Sequence, residues 1–94
     1  MELDARMAAL RERFRARAAG DRASILAARD AGDLAEVGRL AHGLSGSGGV
    51  FGFPQLSADA QALENAIDAG AKPEDLAVLC DRLLVRLAQV AQRG

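Results

Sequence analysis

Tryptophan and tyrosine are absent, and the aromatic side chains are limited to Phe14, Phe51 and Phe53. That leaves too few flat rings for platforms on which bases or sugars stack. Cysteine occurs once, at Cys80, so no disulfide can close within the chain. Histidine also occurs once, at His42, which excludes a His/Cys metal site built by a single chain. Lysine occurs only at Lys72, and arginine supplies the rest of the positive charge. The formal net charge is -1, without the basic excess that nucleic acid demands. No apolar run is long enough to span a bilayer. The start, Met1-Glu2-Leu3-Asp4, lacks the basic segment and apolar run of a secretory signal. The expectation is a cytoplasmic protein with no membrane or nucleic-acid partner. Period-two alternation is missing and β-branched residues are scarce, which excludes a sheet.

Helical periodicity is what remains. The 94 residues suffice for one domain, and half are hydrophobic. Leu3, Met7, Leu10 and Phe14 recur at steps of four and three, which predicts an amphipathic helix over about 3–18. Gly20 and Asp21 read as a stop and a new N-cap, with a shorter helix carrying Ile25, Leu26 and Ala28 beyond. A single kinked helix over residues 1–31 is the alternative. Gly32 ends this segment; Asp33, with Glu36 three residues on, opens the next as a capping box. Its inward stripe is Leu34, Val37, Ala41, Leu44 and Gly48. The stretch from Gly48 to Pro54 turns the chain, with Pro54 in the first turn of a helix that buries Leu56, Ala60, Leu63 and Ile67 and ends near Gly70. Pro73 begins the last helix, with Glu74 and Asp75 at its positive end. Leu76, Leu79, Cys80, Leu83, Leu87 and Val90 face inward there, and Arg86 and Arg93 fall in its C-terminal half. Short connections favour antiparallel neighbours. The fold expected is all-α: an up-and-down antiparallel four-helix bundle over about 21–92 with an additional N-terminal helix, in one domain over 1–94.

His42 stands apart within this pattern. It lies roughly 130° from the centre of its helix's inward stripe at about 100° per residue, so it is expected to face outward or to sit at the edge of the bundle, and not in the core. Its neighbours on the same face are Gly38, Ser45, Gly46 and Gly49, with Gly43 beside it. Each glycine inside a helix costs about 0.5–1 kcal/mol relative to alanine. Close access to the imidazole gives those glycines a purpose. On the next helix Glu64 sits about 70° off its own inward stripe, where it reaches across the seam. A carboxylate accepting from one ring nitrogen frees the other as a nucleophile. A phosphate-binding loop is excluded: there is no G-x-x-x-x-G-K-[S/T], and Lys72 is distant. Cys80 reads as core, and Phe51 and Phe53 as a plug at the bundle's end.

His42-Gly43-Leu44-Ser45-Gly46, followed by Gly52 and by Leu63-Glu64, resembles the histidine-containing phosphotransfer (HPt) domain family. That family's pattern is H-x-L-K-G, a glycine closing the turn, and an L-E pair on the following helix. Gly32-Asp33 and Leu40-Ala41 fit it too, and the resemblance runs from about residue 21 to 90. It implies a phosphocarrier, not an enzyme with its own kinase or nucleotide site. His42 would accept a phosphoryl group from a receiver-domain aspartate and pass it to another receiver. Glu64 matches the position that orients the imidazole, Gln61 one that borders it, and Gly46 the glycine that permits docking, to which Gly38, Gly43 and Gly49 add bare surface. Ser45 replaces the usual lysine, so a charge near the phosphoryl oxygens is missing; Arg39, three residues before His42, is the candidate substitute. The partners implied are receiver domains of response regulators or hybrid histidine kinases. The chain itself is expected to act as a monomer without a cofactor, the Mg²⁺ being the receiver's. The rival expectation is a helical adaptor that binds a receiver or histidine kinase without carrying phosphate.

Overall fold

The computed structural model describes residues 2–92. Four helices make up the described chain: α1 (Glu2–Asp30), α2 (Leu34–Val50), α3 (Pro54–Asp68) and α4 (Pro73–Gln92). Each lies alongside two others in the ring α1–α2–α3–α4, with the backbones of the diagonal pairs farther apart. Along the α2–α3 seam, residue numbers rise on one helix as they fall on the other: His42 meets Glu64 and Ser45 meets Ser57.

The separate N-terminal helix expected over 3–18 does not exist. It and the shorter helix after Asp21 are one 29-residue helix. The reason lies in the stripe itself. The four-and-three spacing of Leu3, Met7, Leu10 and Phe14 continues without a break through Ala18, Asp21, Ile25 and Ala28. Ala18 and Ile25, fully buried, flank Gly20 and tie both halves to the same core. That burial outweighs the roughly 1 kcal/mol by which glycine disfavours helix. At the other end Leu3 and Leu10 stay exposed, because α1 outruns the shorter helices beside it.

The three connections share one construction. Gly32, Gly52 and Gly70 hold φ of 70°, 84° and 70°, where residues with a Cβ are strained. Past each, an amide donates back five residues: Asp33 to Ala28, Phe53 to Gly48, Ala71 to Ala66. These are glycine-closed helix ends of the Schellman type. Asp33 caps α2 by accepting from the Glu36 amide at 3.1 Å. Helix α2 runs to Val50, two residues past the expected stop at Gly48. Pro54 opens α3 and Pro73 opens α4.

The core combines Phe14, Ala18, Ile25 and Ala28 with Val37, Ala41, Leu44, Leu56, Ala60 and Leu63, and with Leu76, Cys80, Leu83, Leu84, Leu87 and Val90 of α4. Leu34 departs from expectation at 48% exposure, because it sits in the first turn of α2, at the bundle's rim. Leu26, Ile67 and Leu79 are half-buried at the edge of the core. Phe51 and Phe53 close the end of the bundle around Phe14, with ring centroids 5.9 and 5.1 Å away. Arg86 lies in the C-terminal half of α4, bonded to Asp59 of α3 at 2.9 Å, whereas Arg93 lies outside the described residues. No described helix is long and apolar enough to cross a membrane.

Candidate functional site

Helix α2 presents His42 on its outer side, one residue after the fully buried Ala41. The imidazole is 76% exposed. Across the seam, Glu64 follows the buried Leu63 on α3, so its carboxylate emerges at the boundary between the helices. His42 Nδ1 lies 2.7 Å from Glu64 Oε2. A carboxylate only accepts, so the hydrogen bond takes its proton from Nδ1, and in the neutral ring the lone pair then lies on Nε2. One contact thus fixes the ring's orientation and its tautomer.

The glycines of α2 divide into two kinds. A Cβ on Gly48 would stand 3.2 Å from the Ser57 amide nitrogen and 3.3 Å from the Phe53 carbonyl oxygen. Gly48 therefore lets the backbones of α2 and α3 approach closely, and Ser57 Oγ adds a 2.6 Å hydrogen bond to the Ser45 carbonyl. Gly43 and Gly46 are different: a Cβ on either meets nothing within 4 Å. Gly38 and Gly49 would make only ordinary contacts, with Ile67 at 3.8 Å and Ser57 Oγ at 3.6 Å. Internal packing accounts for Gly48 and leaves Gly43 and Gly46 unexplained. They keep the surface around His42 low.

An open depression of about 420 Å³ flanks His42 toward the start of α2. Leu34, Ala35, Gly38 and Arg39 line it from α2; Glu64, Ile67 and Asp68 line it from α3. Arg39 is thus brought to the histidine, but its guanidinium is engaged. Nε and Nη2 donate to the two carboxylate oxygens of Glu36 at 2.6 and 2.7 Å. Ser45 and Gln61 do not line the depression. Ser45 is half-buried one turn beyond His42, and Gln61 is exposed one turn before Glu64 with no hydrogen bond to the imidazole. Sequence reasoning assigned Glu36 to the helix cap alone and passed over Asp68. The signal for Glu36 was the three-residue step from Glu36 to Arg39 to His42, which puts all three on one face.

A family model described as the Hpt domain matches residues 9–93. Searches among curated proteins and solved structures gave no match. Hpt domains serve histidine phosphotransfer in phosphorelays as phosphocarriers and not as kinases, and they interact there with receiver domains and kinases. The match spans nearly the whole chain, including α2 with its outward imidazole and α3 with the carboxylate that holds it; the protein belongs to the Hpt domain family.

Proposed function

We propose that this protein is the phosphocarrier of a multistep two-component phosphorelay, with His42 accepting a phosphoryl group from a receiver-domain aspartate and passing it to a second receiver. The observation that carries this reading is the 2.7 Å contact from Nδ1 to Glu64 beneath an otherwise bare imidazole. The Nε2 lone pair attacks phosphorus in line. The acyl P–O bond breaks, and its electron pair leaves with the aspartate carboxylate. The proton on Nδ1 stays beside Glu64, whose charge offsets the imidazolium that forms. Such transfer depends on alignment and electrostatics more than on acid–base help. The divalent cation, in this reading, is the receiver's.

The supporting scaffold is read as an up-and-down antiparallel four-helix bundle forming one domain and acting as a monomer in the cytoplasm. Receivers would settle over His42 on the low surface made by Gly38, Gly43, Gly46 and Gly49. Gln61 and Ser45 would meet the phosphoryl group or the partner on the far side of the ring from Arg39.

The test is phosphotransfer from a labelled receiver. Wild type should take up label and His42→Gln should take up none; equal labelling of both proteins ends the proposal. Gly46→Trp should fold with unchanged helical content yet lose receiver binding. Ser45 brings no positive charge to the site, which favours one rival, a helical adaptor that binds a receiver or kinase without carrying phosphate. An acid-labile, base-stable phosphate on His42 in cells separates the two.

A further inference from the structure

Arg39 is the only lysine or arginine among the residues lining the depression beside His42, where Glu64 and Asp68 are the carboxylates. Its guanidinium is turned away to Glu36 in a two-point pair. The hydrogen bond from Arg39 holds the Glu36 carboxyl below the usual carboxylate range, and the same bond pushes Arg39 up. Glu36, Arg39 and His42 follow one another at steps of three, so Arg39 has a neighbour on each side along one helix face. Side chains on a helix lean toward its N-terminus. Arg39 therefore inclines to Glu36, and the imidazole inclines over the turn that carries Gly38 and Arg39. A phosphoryl group is nearly a dianion, against a single charge on Glu36, and attraction scales with charge.

We infer that Glu36 holds Arg39 in reserve, and that a phosphoryl group on His42 draws the guanidinium off Glu36 onto its own oxygens. The inference rests on His42 being the acceptor. Only hydrogen bonds are exchanged in this step; the N–P bond is already formed. Glu36 is a positioning residue, since it acts on the phosphoryl group only through Arg39. Cleavage of the N–P bond passes through a loose, metaphosphate-like transition state. A cation on the phosphoryl oxygens holds the ground state more firmly than that state, so Arg39 prolongs the life of phosphohistidine.

The single histidine makes the test clean, because phosphoramidate can mark His42 without any partner. Nε2 displaces ammonia from phosphorus, one P–N bond breaking as the other forms. Loss of the label to water is followed by ³¹P NMR for the full chain, for Glu36→Gln, for Arg39→Gln and for the double variant. All three should fold, since both side chains are exposed or nearly so. Glu36→Gln should lengthen the half-life about two- to five-fold, the range an exposed ion pair supports, and Arg39→Gln should shorten it by a similar factor. In the Arg39→Gln background, Glu36→Gln should change nothing. The same lengthening in both backgrounds would mean simple removal of a charge and overturns the inference, as does an unchanged half-life throughout. The Arg39 Nε–H signal should move on phosphorylation of the wild type; a fixed signal likewise overturns it. Failure of receivers to label the wild type, beside an intact phosphoramidate series, removes the relay reading alone. Receiver transfer beside a flat series removes the ion-pair exchange alone.

Discussion

Gly46 and Gly48 stand two residues apart on α2 in opposite surroundings. Gly46 faces open space, and Gly48 faces the backbone of α3 at 3.2 Å. Gly46→Ala should therefore raise stability by about 0.5–1 kcal/mol, the helix propensity that glycine forgoes. Gly48→Val should lower it by about 1–3 kcal/mol, because the extra carbons have only main chain to displace. Urea unfolding of both variants checks the pair; a loss of stability in Gly46→Ala would show that its bareness serves the fold after all. The residue that makes α2 foldable against α3 and the residue that leaves His42 approachable are thus separable by one measurement each.

Among the elements, α1 marks where sequence and structure part. Gly20-Asp21 carries strong local stop signals, yet the helix passes through it. Local chemistry was readable there; the pull of Ala18 and Ile25 on a shared core was not, because it depends on α4 lying alongside. Gly20 keeps a negative φ, and a Cβ there meets nothing within 4 Å. Gly20→Ala should raise the thermal midpoint, in line with about 1 kcal/mol, with helical content by circular dichroism unchanged. A drop would mean that α1 bends at this point in solution. Elsewhere the signals were local and therefore legible. Gly32 and Gly70 end helices, Asp33 caps α2, and Pro54 and Pro73 open their helices, as the chain order implied, and Gly52 falls within the turn expected between Gly48 and Pro54. In the site, helical geometry alone set His42 outward and brought Glu64 to the seam. The engagement of Arg39 was hidden, because choosing Glu36 over His42 as its neighbour depends on side-chain lean and not on spacing.

The molecule as a whole is a narrow rod of 47 × 21 × 17 Å, so its core is one side chain deep and every buried group counts. Cys80 is such a group, with Arg29 of α1 nearby. Burial pushes its thiol up, against a smaller opposing pull from Arg29. Below the ordinary thiol range both folded and unfolded chains hold the proton, and the burial of Cys80 stabilises the fold in full. As pH climbs through that range the unfolded chain releases its proton first, so stability falls. Between about pH 7 and pH 10 the urea midpoint of wild type should fall further than that of Cys80→Ala. Parallel losses would show that the thiol titrates alike in both states.

The exposure of His42 has a consequence for traffic. A ring that stands exposed on the flank of a slender rod, beside an open depression, offers a single berth with no door. Whatever occupies it shuts out every other visitor, so two proteins reading this histidine must take turns. The order of visits is then decided by abundance and residence time, and the rod itself casts no vote.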